Sequence, residues 1–594
     1  MLSARFLILL LCLSLAGAQP RPAGFHLQDA TVADIQRAIQ KKQITTQRLV
    51  ELYLQRIRAY NGTCVSEPQG ILGPVTTIAH ARQINALSTL NLRPAARKRL
   101  GFEDRKARSL TDATDARADM PDALEVAAAQ DREFQRTGKL AGPLHGVVMA
   151  IKDQYDTFDM RTTSGADVDY ANDRPPADAT FVKRLRDAGA IILAKANLAE
   201  YAVDGARSSF GGTFCNPYDT EREPGMSSAG SASSVAANLV TCAIGEETVV
   251  SIRWPSSLNS LVGIAPTEEL VSRNGMMGSG LNMRTGPICR NVADAARVLD
   301  VIAGYDPKDD QTVFSIGRKT QPYLNSAGAR DLKGLRIGVL REYMLAGLSK
   351  ADEQSLALAE RAIEDLRKLG ATIVDPGPGK ELFAQCLGGR SLRTLTSPGV
   401  EGEGKFMLNQ YLEQRGDANV KVHADLISKG RFYNDPNFPD RKQAREAAER
   451  ATRYDDSAKL KARFELQKLL LGCMEQQKLD ALMSPMSTVP PRKLTAPREP
   501  TVNGRSAIGY SLIGQQGFPA ITVPAGFTTE VWDRVRDGNG TRLVGPVAAQ
   551  IPVGVDFLAR PFAEGLLVRI AAAYEAATKH RRPPPEFGPL TNEP

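Results

Sequence analysis

Phe181-Val182-Lys183-Arg184-Leu185-Arg186-Asp187-Ala188-Gly189-Ala190-Ile191-Ile192-Leu193-Ala194 carries the pattern that decides the fold. Phe181, Val182 and Leu185 recur at helical spacing, Gly189 stops the helix, and residues 191–194 follow directly as an apolar strand. The same alternation returns downstream. Residues 335–340 read as a strand, a long helix runs from about 351 to 369, Gly370 ends it, and Thr372-Ile373-Val374 is strand again. Helix and strand in alternation predict an α/β fold, with a central mixed, twisted β-sheet flanked by α-helices. Upstream, Thr31-Val32-Ala33-Asp34 predicts a capping box, and a second helix from about Thr46 carries the stripe Leu49, Tyr53, Ile57. Downstream, strands are expected at 520–524 and 553–558, with the turn Asp537-Gly538-Asn539-Gly540 between them and a final helix at about 563–578. One large domain over residues 27–585 accommodates all of this. Two stretches break the pattern: 65–122, rich in Arg and Asp, reads as a solvated insertion, and 400–475 as a charged helical cap or inserted subdomain.

Composition supports a folded chain. Of 594 residues, 42% are hydrophobic and 24% charged, which is an ordinary globular balance. The formal charge of +8 is a small excess of 75 Lys and Arg over 67 Asp and Glu, so a bland basic surface is expected and no nucleic-acid partner. Residues 1–18 read as a secretory signal: Arg5, an apolar run over 6–15, then the small-residue cleavage site Ala16-Gly17-Ala18. The run is too short to span a bilayer, so the expected product is exported, periplasmic or secreted, without stable membrane insertion. Leu11 occupies the place where a lipid anchor at Cys12 needs a small residue. The remaining cysteines, Cys64, Cys215, Cys242, Cys289, Cys386 and Cys473, are even in number and permit disulfides, but their scatter and apolar context fit buried free thiols at least as well. None has metal-ligand spacing, and with 5 His in the chain a histidine zinc site or a Ser–His–Asp triad has few candidates.

Three segments carry chemistry. Gly142-Pro143-Leu144-His145-Gly146-Val147 leads through an apolar strand to Lys152-Asp153. Pro224-Gly225-Met226-Ser227-Ser228-Ala229-Gly230-Ser231-Ala232 opens a run of small residues that predicts a helix packed closely on a sheet. The third is Gly245-Glu246-Glu247-Thr248-Val249-Val250-Ser251-Ile252-Arg253. A lysine buried at a strand end loses its charge readily and becomes a competent base. Together the three resemble the amidase signature family over about residues 30–585, supported by Gly286-Pro287, Arg290, 292–296, 518–526 and Arg560-Pro561-Phe562. The resemblance implies amide hydrolysis without cofactor or metal, on a small-molecule or peptide amide.

Carried over by position, the resemblance makes Lys152 the base, Ser227 the cis-peptide serine and Ser251 the nucleophile. Neutral Lys152 would draw a proton through Ser227 as Ser251 attacks the carbonyl, and the relay would return it to the leaving nitrogen. The backbone N–H groups of Thr248, Val249, Val250 and Ser251 would form the oxyanion hole, Ser228 would hydrogen-bond within the relay, and Glu247 could pair with Arg253 to brace the loop. His145 is read as structural. The chain departs from the family where Met226, Ala229, Val249 and Val250 replace glycines, and where Met283-Arg284 replace Asp-Thr. Valine tolerates positive φ poorly, so a distorted oxyanion hole is one expectation, and a degenerate member that binds amides with little turnover is the alternative function. An amidotransferase component fits the export signal badly, a lipid-amide hydrolase lacks an amphipathic membrane helix, and the glycines of 275–280 lack the Lys-Ser/Thr of a phosphate-binding loop. Asn61 and Asn539 lie in Asn-X-Thr sequons.

Overall fold

A computed structural model describes residues 24–203, 205–344, 349–437, 440–497 and 511–594. The expected signal segment, with Cys12, lies outside the described residues. Eleven strands form one sheet. In chain order they are β1 (Leu87–Leu90), β2 (Val148–Lys152), β3 (Ile191–Ala196), β4 (Cys242–Glu247), β5 (Val262–Ala265), β6 (Arg284–Cys289), β7 (Arg336–Val339), β8 (Thr372–Val374), β9 (Ala481–Pro485), β10 (Ala520–Phe527) and β11 (Pro552–Ala559). Across the sheet they run β8-β7-β9-β11-β10-β5-β6-β4-β2-β3-β1. The sheet is mixed. β2 pairs in parallel with both β3 and β4, while β4 meets β6 antiparallel.

Apart from edge strand β8, the strands are largely buried on both faces, as helix-covered sheets require. Along β2, Val148 and Ala150 enter one core and Met149 and Ile151 the other. The first core is covered by the helices Val32–Gln40 and Thr46–Tyr60 and by α1 (Ala229–Ala236); the second by Val292–Ile302, Glu353–Lys368 and Glu564–Thr578. The first of these opens on the expected capping box, with Thr31 Oγ1 accepting from Asp34 N at 3.1 Å and Asp34 Oδ2 accepting from Thr31 N at 3.2 Å.

Three expectations change. The segment 65–122 is not simply solvated: it supplies edge strand β1, and its Arg108 is buried against Asp115, Asn91 and the Met120 carbonyl. Part of the charge there is satisfied internally while Arg117 and Asp119 face solvent, a division that composition cannot reveal. The scattered cysteines are not free thiols but form Cys64–Cys215, Cys242–Cys289 and Cys386–Cys473. Sequence separations of 151, 47 and 87 hid these pairs. The turn at 537–540 closes a separate two-stranded ribbon, Glu530–Asp537 with Gly540–Ala548, inserted between β10 and β11. Asn61 is buried, its side chain exchanging 2.9 Å hydrogen bonds with both backbone groups of Leu87, so it holds β1 and does not face solvent. The stretch 400–475 is helical, with Glu403–Arg415, His423–Lys429, Arg441–Glu449 and Ser457–Gln476.

Candidate active site

The site gathers where the parallel strands β2 and β4 end, the edge at which open α/β sheets commonly bind ligands. Lys152 is the last residue of β2 and shares the α1 face with Val148 and Ala150, because alternate side chains of a strand point the same way. It is fully buried, with Nζ 2.7 Å from Ser227 Oγ. Burial pushes its ammonium down from the ordinary lysine value, and the carboxylates of Glu246 and Glu247 pull only partly against that.

Ser227 and Ser228 sit in the turn before α1. Gly225 has φ +86°, and a Cβ there would stand 2.8 Å from the Pro255 backbone, so no other residue fits without a shift. The Met226–Ser227 peptide is cis. α1 lies against backbone: a Cβ on Gly230 would come within 2.3 Å of the carbonyl oxygens of Ala86 and Asn197. Ser228 pins the turn to β4, its Oγ donating to the Glu246 carbonyl at 2.9 Å and accepting from the Glu246 amide at 3.1 Å. The expected relay contact of Ser228 is thus to backbone.

Ser251 is half-buried and precedes α2 (Arg253–Leu258). Its carbonyl accepts from the Ser228 amide at 3.3 Å, which sets the two serine loops side by side. The structure therefore brings Lys152 into contact with Ser227 and places Ser251 on the neighbouring stretch of chain; among the described residues no hydrogen bond joins the Ser251 and Ser227 hydroxyls. Such bonds commonly tighten only when substrate is present. Among the described residues the N–H groups of Thr248, Val249, Val250 and Ser251 make no hydrogen bond. Neither valine has positive φ, so the strain expected of them does not arise. Val249 and Val250 instead pack with Met226, Trp254, Leu258 and Met486 in one apolar cluster beside Ser251. Met226, Val249 and Val250, which replace glycines on two separate loops, are packing partners.

Behind the loop that carries Ser251 lies a buried charge network. Glu247 receives Arg253 at 2.8 Å and Arg284 at 2.7 Å, and Arg253 reaches Asp556 of β11 at 2.6 Å. Burial pushes the Glu247 carboxyl up, but the two guanidiniums outweigh it and hold the group below the usual carboxylate value. Burial raises Asp556 to about 6 despite Arg253. Arg253 also donates to the Val249 carbonyl at 2.8 Å, and Glu247 accepts from the amides of Ile252 and Arg253 at 3.0 and 3.1 Å. Arg284, which replaces a family threonine, thus answers a buried acid. His145 lies elsewhere, accepting from the Ala141 amide at 3.0 Å and standing 3.4 Å from Thr46 Oγ1. Among the described residues no group of three or more His, Cys, Asp or Glu is placed to hold a metal, and no helix is long and apolar enough to cross a membrane.

Sequence reasoning missed Glu246. Its side chain is fully buried, with Oε2 2.8 Å from Lys152 Nζ and Oε1 accepting from Thr248 Oγ1 at 2.7 Å. The available signal was two consecutive acids closing the apolar strand Cys242-Ala243-Ile244-Gly245, since buried carboxylates require cations.

The family model described as Amidase matches residues 105–568. A glutamyl-tRNA(Gln) amidotransferase subunit from Moorella thermoacetica is 33% identical over 482 residues, covering 78% of this chain and 89% of its own. A probable amidase of Arabidopsis thaliana is 30% identical over 589 residues, 94% of this chain and 92% of its own. The native peptide amidase of Stenotrophomonas maltophilia superposes with a TM-score of 0.70 at 30% identity, covering 94% of this chain and 99% of that one. These comparisons set the chain among amide-acting enzymes. It belongs to the amidase family.

Proposed function

We propose that the chain hydrolyses a carboxylic amide through an acyl-enzyme on Ser251, with Lys152 and Ser227 as the proton relay. The observation that carries this is the 2.7 Å contact of a fully buried lysine with the hydroxyl of Ser227, one residue from the amide that holds the Ser251 backbone. Ser251 Oγ attacks the carbonyl carbon while its proton passes through Ser227 toward Lys152. The tetrahedral oxyanion is received by free amides of residues 248–251, each such donor typically contributing about 3 kcal/mol. Collapse breaks the C–N bond as the relay returns the proton to nitrogen, releasing ammonia or an amine, and water then cleaves the ester by the same path. The degenerate, binding-only alternative is the weaker reading, because every relay side chain is present and the replaced glycines introduce no positive-φ strain. Hydrolysis of a panel of peptide, aryl and small aliphatic amides tests it. The wild type is expected to turn over at least one, with Ser251→Ala and Lys152→Met each losing more than about 10³-fold and Ser251→Ala melting at the wild-type temperature. A wild type as inert as Ser251→Ala across the panel overturns the proposal.

The reading places the enzyme outside the cytoplasm, supported by the signal pattern over residues 1–18 and by three disulfides. N-terminal mass analysis is expected to find the exported protein beginning at Gln19; a cell-retained product keeping residues 1–18 counts against export.

A further inference from the structure

Resting on the relay proposed above, we infer that Glu246 is its proton terminus: a positioning residue that acts through Lys152 and carries the proton taken from the serines. Three observations support this. Lys152 and Glu246 both have no exposed side-chain surface, at 0% each. Nζ contacts Ser227 Oγ at 2.7 Å and Glu246 Oε2 at 2.8 Å, so the amine bridges the serine and the acid. The second carboxylate oxygen is held by Thr248, so the acid cannot swing away without losing a bond.

Charge balance decides where the proton sits in a buried pair. A buried cluster favours zero net charge. A lone buried lysine reaches zero by shedding its proton, and then takes one from serine. A lysine paired with a glutamate reaches zero with one proton between the two groups, and an ammonium facing Ser227 has no free lone pair. The pair can still act as a base, because Lys152 can give a proton to Glu246 Oε2 as it takes one from Ser227. The protons balance: that of Ser251 moves to Ser227, that of Ser227 to Nζ, and one from Nζ to Oε2. The pair goes from zero to +1 as the oxyanion forms, the same change a neutral lysine undergoes. When the C–N bond breaks, the chain runs backward and Glu246 is a carboxylate again. The neighbouring charges leave Glu246 this role. Glu247 is engaged by Arg253 and Arg284, and the Tyr155 hydroxyl is directed to the Gly245 carbonyl at 3.3 Å and to Thr285.

The test reads nucleophile activation without needing the natural substrate. A fluorophosphonate forms an O–P bond with an activated serine and expels fluoride, and its rate can be followed from about pH 4 to 10 on the full chain, with Ser251→Ala as the blank. If Glu246 is the terminus, wild-type labelling stays on down to a carboxylate-like acid limb, below about pH 6. In Glu246→Gln the acceptor is the amine alone, which is lost to protonation at higher pH, so the acid limb moves up by roughly 1–3 pH units. Glu246→Asp keeps the wild-type limb at a reduced rate. A Glu246→Gln limb that coincides with wild type overturns the inference, and so does a wild-type limb above about pH 7, which requires no variant to fold. Labelling that shifts as expected in a protein inert toward every amide would overturn the hydrolase reading and leave the terminus standing.

Discussion

Arg253 shows how much of this site is decided by single side chains. It pairs with Glu247 and Asp556, and it holds the Val249 carbonyl. Replacing it with Met would leave buried Asp556 without its cation and Glu247 with Arg284 alone. Losing one partner of a buried pair typically costs about 3–5 kcal/mol, so Arg253→Met is expected to melt well below wild type and to lose activity with it. Urea unfolding at neutral pH checks this, and an unchanged midpoint would mean that Arg284 alone satisfies the acids. Lys152, Ser227 and Ser251 were legible because they stand in ordered motifs. Glu246 stands in one of those motifs yet is easily passed over, since adjacent acids look alike in sequence while one faces Arg253 and Arg284 and the other faces Lys152. Met226, Val249 and Val250 looked like three separate defects. Only contact data reveal that they fill one cluster.

At the scale of elements, periodicity located most of the frame. The helix Thr180–Asp187 and strand β3 fall where Phe181, Leu185 and Gly189 put them, and Glu353–Lys368 followed by β8 repeats the unit. α1 was legible for a different reason: its small residues announce close packing, and Gly230 meets carbonyl oxygens of two other segments. β1 was not legible. Its sequence, Leu87-Ser88-Thr89-Leu90, is short and lies in a stretch dominated by charge, and it is a strand because β3 offers an edge and Asn61 holds Leu87. The hairpin between β10 and β11 was seen as a turn but not as a ribbon. Its outer strand is largely exposed and lacks a buried apolar face to mark its length.

For the whole molecule, the disulfides were the least legible feature, because partners 151, 47 and 87 residues apart leave no spacing signature. Protein made in an oxidising compartment is expected to show no titratable thiol after unfolding, and reduction is expected to lower its stability by about 2–4 kcal/mol per bridge. Thermal melts with and without reductant check this; identical melts would show that the sheet alone holds the fold. One bridge reaches further than stability. Cys242 and Cys289 stand opposite each other at one end of the β4–β6 pair, and Glu247 and Arg284 stand opposite each other at the far end. The ladder between them is bolted at the first rung and latched at the last. Neither strand can slip along the other by even one step without tearing a covalent bond, so the loop that presents Ser251 springs from a fixed mount.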